Sequence, residues 1–189
     1  MKIVIQFFGC LCFILFSILQ TSCSRFDEEN EADKLVVNEV VAVGDFEIIF
    51  YPKNKFVDNE SILLSQILDL GNPVVLNFWA GLCAPCRREM PDFQSTYDFF
   101  NKEVVFVGVD LGPFTGLGSV EQGVELLKKL NITYPAGTTE DSTVLPRFQV
   151  FGMPTTLFLG PGGKLVRKWT GELSKDELIK FTSELLSYF

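Results

Sequence analysis

A Cys-x-x-Cys motif at positions 83–86 constrains this 189-residue chain more than any other feature. The preceding residues 74–78 form an apolar, β-rich run that predicts a buried strand, and Gly81 breaks that run. After Cys83, one helix face is indicated by residues that recur every three or four positions, namely Cys86, Met90, Phe93, Tyr97 and Phe100. The pattern therefore predicts a strand, a short loop and a helix that begins at the cysteine pair.

The predicted position of the pair at a helix N-terminus indicates redox chemistry. The first turn of a helix has unpaired N–H groups and the positive end of the helix dipole, and both favour a thiolate over a thiol. Cys83 is therefore the predicted reactive sulfur, exposed to a partner. Cys86 lies one turn further, in line with Met90, and is the predicted shielded resolving thiol. Pro85 fits the first turn, where a missing N–H costs nothing.

A structural disulfide and a metal site are the two alternative interpretations of the pair. A bridge across two intervening residues closes a very small loop and constrains the unfolded chain little, so it would stabilise the fold weakly. Zinc needs four ligands, whereas this chain has no histidine and no second Cys-x-x-Cys pair, so metal would require a partner chain. Arg87 after Cys86 also excludes the motif for haem attachment. We expect neither a metal nor an organic cofactor.

The N-terminal residues 1–22 are predicted to be a signal peptide or an N-terminal membrane anchor. Lys2 is followed by seventeen residues without a charge, which is barely enough for a helix to span a bilayer. Arg25 and an acidic run follow, and this asymmetry of charge predicts that the rest of the chain lies outside the cytoplasm. A buried core helix is the alternative, which the extreme N-terminal position disfavours.

Residues 20–24, with Cys23 near their end, resemble the lipobox of bacterial lipoproteins, in which the cysteine becomes the acylated first residue. The small residues before Cys23 fit this motif, whereas Gln20 stands where Leu is usual. Lipidation of Cys23 is the prediction and an uncleaved anchor is the alternative, and both leave the domain tethered to a membrane. Downstream of Cys23, the only cysteines are Cys83 and Cys86.

Composition divides the remaining chain into an acidic tether, residues 23–43, and one domain, residues 44–189. From Cys23 onward there are 24 acidic and 15 basic residues, and the resulting net charge of −9 argues against binding of nucleic acid and broad adhesion to anionic lipid.

Residues 103–110 form a second continuous apolar run, which predicts a second buried strand. Strands therefore alternate with helices along the chain, and this alternation predicts an α/β fold. The Gly-rich residues 111–118 lack the ending and spacing of nucleotide-binding motifs, which predicts a plain loop.

Shorter patterns predict the other elements. Residues 45–51 are predicted to be a strand, and residues 61–70 a helix. Ser119 is a predicted helix cap, and Ser174 with Glu177 forms a capping box that opens a final helix. A Gly-Pro-Gly-Gly turn at residues 160–163 predicts an antiparallel hairpin between the last two strands.

Taken together, these motifs resemble the TlpA/ResA type of membrane-tethered, extracytoplasmic thiol–disulfide oxidoreductases. The resemblance spans roughly residues 44–186 and rests on Phe78-Trp79-Ala80 before the cysteine pair, Gly-Met-Pro-Thr at 152–155, and Gly162-Gly163 before Gly171. It implies a thioredoxin-like fold, with a central mixed β-sheet flanked by helices.

The resemblance also implies a set of site residues. These are Cys83 as nucleophile, Cys86 as resolving thiol, Glu89 near the shielded sulfur, Pro154 as a cis-proline beside the dithiol, and Met153 and Trp79 against the substrate. Glu89 lies three residues beyond Cys86, so a helix can place it where it takes the proton of that thiol. The alternative for Glu89 is a solvated charge beside Arg87 and Arg88.

The implied function is the reduction of specific protein disulfides, such as those of apocytochromes during cytochrome c maturation or of copper-handling proteins, with recharging by a membrane electron donor. Ala84-Pro85 is compatible with a reductant, since no histidine in the motif holds the thiolate. The alternatives are a disulfide-forming oxidant, a thiol peroxidase of the peroxiredoxin type and a binding module with an incidental dithiol. Cys83 lacks the Pro-x-x-x-Thr-x-x-Cys context of the peroxidase.

Overall fold

The computed structural model describes residues 44–51 and 61–189. The predicted export segment, the acidic tether up to residue 43 and Cys23 lie outside the described residues. Within the described ranges, no helix has both the length and the apolar character needed to cross a membrane.

Strands and helices alternate along the described chain and build one seven-stranded mixed sheet, in the order β2-β1-β5-β4-β3-β6-β7. The strands are β1 (Glu47–Phe50), β2 (Ser61–Leu63), β3 (Val74–Trp79), β4 (Val105–Asp110), β5 (Ala136–Thr138), β6 (Thr155–Leu159) and β7 (Leu165–Thr170). The helices are α1 (Leu64–Leu68), α2 (Ala84–Phe100), α3 (Gly112–Thr115), α4 (Val120–Lys129), α5 (Val144–Arg147) and α6 (Lys175–Ser187). β3, β4 and β5 are parallel, and the other pairings are antiparallel.

The central strand β3 is buried along its whole length because helices cover both faces of the sheet. Its alternate residues Val75 and Trp79 pack on the face of α2, α4 and α6, together with Phe93 and Phe181. On the other face, Val74, Leu76 and Phe78 pack with residues of α1 and α5. The predicted α/β class with a mixed sheet between helices is therefore confirmed.

Most of the predicted elements are present, and one is wrong in part. The sequence predicts a helix over residues 61–70, but Ser61–Leu63 pairs with β1 as an edge strand, and the helix is limited to Leu64–Leu68. At the sheet edge, pairing with β1 supplies the backbone hydrogen bonds of these three residues in place of intrahelical ones. The Gly-rich loop contains one short helix, α3. The predicted cap at Ser119 is present and forms a capping box with Gln122, and the predicted capping box of Ser174 with Glu177 is also present.

The topology brings three chain segments to one edge of the sheet. The parallel strands β3 and β4 end in register, with Trp79 opposite Asp110, so the cysteine motif and the Gly-rich segment leave the sheet side by side. β6 is antiparallel to β3 and begins at Thr155, opposite Phe78. The residues just before β6 therefore reach the edge from which the cysteine motif departs.

Candidate active site

The cysteine pair occupies the N-terminus of α2, as predicted, and is joined by a disulfide. Cys83 is the N-cap residue, and its Sγ accepts the backbone N–H of Cys86 at 3.3 Å. Pro85 lies in the first turn, where it removes no intrahelical hydrogen bond. The same N–H and the positive end of the helix would favour negative charge on Cys83 in the reduced protein.

The two sulfurs differ in accessibility, although less than the sequence predicted. Cys86 is fully buried, whereas Cys83 is 5% exposed. Cys83 is thus more buried than the exposed attacking thiol that was expected, because neighbouring loops on two sides enclose it. Cys83 is nevertheless the more exposed of the two cysteines.

The segment before β6 forms one of these two sides. The Met153–Pro154 peptide bond is cis, which confirms the prediction for this bond. The carbonyl oxygen of Met153 lies 3.6 Å from Cys83 Sγ. Two hydrogen bonds hold the segment in place: Thr155 Oγ1 donates to the carbonyl of Gly152, and the N–H of Gly171 donates to that of Pro154. The cysteine pair thus faces a fixed main-chain acceptor.

Glu89 is a buried acid on the same helix as the dithiol, not a solvated charge. It is 1% exposed, and its two carboxyl oxygens accept hydrogen bonds from Asn77 Nδ2 at 3.0 Å and the N–H of Leu173 at 2.9 Å. Burial raises the pKa of Glu89 to about 8, although both hydrogen bonds act in the opposite direction. The neighbouring Arg87 and Arg88 point to solvent, and Arg88 pairs with Glu172. The interpretation of Glu89 as a solvated charge is wrong.

The partners of Glu89 were missed by the sequence analysis. Asn77 lies in the middle of β3, and its Nδ2 also donates to Thr156 Oγ1 at 3.0 Å. The amide group of Asn77 therefore links the Glu89 carboxyl group on α2 to Thr156 on β6. A polar residue inside a continuous apolar strand needs buried hydrogen-bond partners. The position of Asn77 in such a strand was the feature of the sequence that could have identified it as part of the site. The N–H of Leu173 carries no signal in the sequence, because any residue supplies one.

Trp79 occupies a different place from the one that the resemblance implied. It is fully buried among the residues that pack between the sheet and α2, and no part of its side chain reaches the surface. The bulky indole belongs to the core beneath the dithiol, so the implied contact of Trp79 with a substrate is corrected. The buried Pro154 likewise offers a substrate no exposed ring.

Exposed apolar side chains stand around the cysteine pair instead. Leu82 directly precedes Cys83 and is 47% exposed, and its N–H donates to the carbonyl of Leu117 at 2.7 Å, which brings the exposed Leu117 beside it. On the other side, Phe151 is 87% exposed, two residues before Met153. We call Leu82, Leu117 and Phe151 the apolar rim. Exposed groups of this kind are suited to contact with another polypeptide.

This arrangement supports two-electron exchange between dithiol and disulfide. It combines a vicinal cysteine pair, a helix N-terminus that favours a thiolate, and a buried acid with a pKa close to that of a thiol. The pair closes only a four-residue loop, which makes it a weak structural staple.

Comparisons with known proteins agree with this chemistry. Residues 45–168 match the AhpC/TSA family. Thiol-disulfide oxidoreductase ResA of Oceanobacillus iheyensis is 30% identical over 151 residues, which cover 78% of this chain and 75% of that protein.

Solved structures show the same fold. StoA from Bacillus subtilis superposes with a TM-score of 0.59 at 24% identity, over 75% of this chain and 98% of that one. The exposed lipoprotein thioredoxin of Streptococcus pneumoniae gives a TM-score of 0.61 at 26% identity, over 74% of this chain and 98% of that one. The implied thioredoxin-like fold is confirmed. The chain therefore belongs to the AhpC/TSA family and is a thioredoxin-fold thiol–disulfide oxidoreductase similar to ResA.

Proposed function

We propose that the protein is an extracytoplasmic, membrane-tethered reductant of specific protein disulfides, with Cys83 as its nucleophile. The observation that carries the proposal is the asymmetry of the dithiol. Cys83 caps α2, receives the N–H of Cys86 and retains some exposure, whereas Cys86 has none. Only Cys83 can meet a partner's sulfur, and only Cys86 is placed to release it.

The proposed reaction transfers two electrons to the substrate. In the reduced protein, the Cys83 thiolate attacks one sulfur of the substrate disulfide, forms a mixed disulfide and expels the other sulfur as a thiolate. The Cys86 thiolate then attacks Cys83 Sγ and releases the second substrate thiolate. The substrate gains two thiols after protonation, and the protein is left with the Cys83–Cys86 disulfide seen in this structure.

The buried Glu89 is proposed to handle the proton of Cys86. That thiol is fully buried and must lose its proton before it can attack, so bulk water is a poor acceptor. Glu89 lies three residues further on the same helix, and its pKa of about 8 is close to that of an ordinary thiol. Such a match suits a group that both takes and returns a proton near neutral pH.

The proposed substrate is a polypeptide rather than a small disulfide. The apolar rim surrounds Cys83 with side chains that a polypeptide can cover, and the carbonyl of Met153 is available beside the reacting sulfur to a passing backbone N–H. A small disulfide would use neither feature. Apocytochromes in cytochrome c maturation are the substrate class that we favour.

A reducing poise is favoured by the charges near the motif. The motif has no histidine that would stabilise the Cys83 thiolate. Arg88 is paired with Glu172, so the positive charge of Arg88 is offset and stabilises the Cys83 thiolate less. A less stabilised thiolate makes the disulfide form relatively more stable and the dithiol a better electron donor.

Tethering is proposed from the N-terminal sequence, with residues 1–22 as signal peptide or anchor, 23–43 as acidic tether and 44–189 as the redox domain. The similarity to the pneumococcal exposed lipoprotein thioredoxin supports lipidation of Cys23. A tethered reductant outside the cytoplasm needs an electron source in the membrane to reduce its disulfide after each cycle.

The assignment of the two cysteines is tested by trapping. In Cys86→Ser, the mixed disulfide with a peptide disulfide should accumulate, because the thiol that resolves it has been removed. Cys83→Ser should trap nothing. Mass spectrometry of the unreduced protein measures both, and equal trapping by the two variants would refute the assignment.

The direction of electron flow is tested by equilibrating the domain with glutathione buffers. We expect a potential near the value of about −270 mV found for thioredoxin, whereas a value near −120 mV, found for strong oxidants, would make the protein a disulfide-forming enzyme. Titration with peroxide examines the peroxidase alternative. Oxidation by peroxide much faster than by a peptide disulfide would favour that alternative.

A further inference from the structure

A second buried carboxylate lies on the other side of the cysteine motif from Glu89. Asp110 ends β4 directly opposite Trp79 and is 0% exposed. Its Oδ2 accepts the hydroxyl of Tyr51 at 2.9 Å, and its Oδ1 accepts the N–H of Gly112 at 2.8 Å. Burial raises the pKa of Asp110, and hydrogen bonds from Gly112, Tyr51 and the backbone of Gly81 oppose that rise. The redox chemistry described above does not use this group.

A chain of hydrogen bonds leads from Asp110 to the cysteine motif. The N–H of Gly112 donates to the carboxylate, and the carbonyl of Gly112 accepts the N–H of Leu117 at 3.2 Å. The carbonyl of Leu117 in turn accepts the N–H of Leu82 at 2.7 Å, one residue before Cys83. The Gly-rich segment thus connects a buried carboxylate to the residue that precedes the nucleophile.

Three glycines, Gly112, Gly118 and Gly123, pack closely against Asp110 or against residues 81–82. A Cβ at Gly112 would stand 2.9 Å from Asp110 Oδ1, and one at Gly123 in α4 would stand 2.1 Å from Oδ2. Gly118 has a φ of +131° and faces the N–H of Leu82 and the Cα of Gly81. Because these approaches are close, no flexible side chain can absorb a shift of the Asp110 carboxylate. Such a shift is therefore transmitted to the loop before Cys83.

We propose that Asp110 is a positioning residue for the redox reaction, which fixes the Gly-rich segment and through it holds the Cys83 sulfur against the carbonyl of Met153. The inference rests on the proposed function of Cys83 as nucleophile. It explains why a carboxyl group is buried at the end of β4: the cost of desolvation is offset by hydrogen bonds that set the position of the loop.

The test measures the formation of the mixed disulfide in the Cys86→Ser background, with one peptide disulfide as substrate. Asp110→Ala removes the acceptor for Gly112, and we expect the second-order rate constant to fall about tenfold or more, since small displacements of reacting groups are costly. Asp110→Asn keeps Oδ1 as acceptor and can donate to the Tyr51 oxygen, so it should restore the rate to within about twofold of the parent.

Thr139→Val is the matched control, because Thr139 is a buried threonine just beyond β5 whose Oγ1 accepts the N–H of Asp141 and bonds to no group of the Asp110 network. This change removes a buried hydroxyl near the same edge of the sheet and should leave the rate unchanged. Amide hydrogen exchange supplies an independent measurement: the Leu82 N–H should exchange faster in Asp110→Ala, and at the parental rate in Asp110→Asn and Thr139→Val. If Asp110→Ala does not fold, Tyr51→Phe replaces it, with an expected loss of at least about threefold in rate.

Three results would overturn the proposal: a parental rate in folded Asp110→Ala or, where that does not fold, in Tyr51→Phe; an equal loss in Thr139→Val; or a failure of Asp110→Asn to restore the rate. A parent Cys86→Ser protein that traps no substrate would instead refute the proposed nucleophile, so the two failures are distinguishable.

Discussion

Glu89 shows how one residue links stability to proton transfer. Its pKa rises from an ordinary value of 4.5 to about 8 in the folded protein, so the native state holds a proton that the unfolded chain releases at lower pH. The contribution to the free energy of unfolding is fully present below about pH 4.5. It is lost as the pH rises through about 8, where the buried carboxylate must carry its charge.

Glu89→Gln should remove this dependence. Above pH 8 we expect the variant to exceed the wild type in free energy of unfolding by up to about 5 kcal/mol, since the pKa rises from 4.5 to about 8 and one unit corresponds to about 1.36 kcal/mol. Release of the mixed disulfide by Cys86 should slow at least tenfold and lose its pH dependence near neutrality. Denaturant unfolding across the pH range and stopped-flow release measure the two effects.

The exposed Glu125→Gln is the matched control, because it makes the same change of charge on the surface of α4. It should alter neither curve. A wild-type release rate in Glu89→Gln at every pH would limit Glu89 to a structural role.

At the scale of single elements, the sequence carried most of the information where apolar periodicity was long. β3, α2 and β4 follow from continuous or helical apolar patterns, and the cap residue Ser119 and the capping box at Ser174 locate the starts of α4 and α6. The three-residue β2 could not be predicted, because its assignment depends on antiparallel pairing with β1 across residues 51–60 and not on a pattern in its own three residues. The burial of Cys83 could not be predicted either, because the loops that enclose it come from other parts of the chain.

The apolar rim should determine recognition of polypeptides without affecting the chemistry of the dithiol. Phe151→Ser and Leu117→Ser should each raise KM for a peptide disulfide severalfold, while the rate with a small aromatic disulfide reagent stays unchanged. Phe99→Ser is the control: Phe99 is 78% exposed but lies near the far end of α2, about 24 Å along the helix from Cys83. An equal effect of all three substitutions on KM would mean that the rim has no special role.

At the scale of the whole molecule, the site depends on groups that are far apart in the chain. Glu89 meets Asn77 from β3 and the N–H of Leu173 before α6, and Asp110 meets Tyr51 after β1. The resemblance to a family indicated the dithiol, the cis-proline and an acid near the sulfur. It could not indicate these partners, because they are brought together by packing of the whole sheet and its helices.

The location of the whole molecule is tested by cell fractionation and by the intact mass of the mature N-terminus. We expect membrane-bound protein with a diacylglyceryl group on Cys23. Cys23→Ser should then block processing or release the domain, whereas Cys12→Ser, inside the preceding apolar run, should change nothing. An intact Met1 would support an uncleaved anchor, and a freely soluble exported protein would contradict both forms of tether.

The contact between Cys83 Sγ and the carbonyl of Met153 has an evolutionary consequence. The oxygen belongs to the main chain, so exchange of the residue at position 153 leaves the atom beside the sulfur in place. The side chain at that position is half-buried and packs against the hydrophobic cores on both faces of the sheet, so an apolar replacement keeps that packing. An apolar exchange at position 153 can therefore change the side chain that a substrate meets while the oxygen beside the reacting sulfur stays in place.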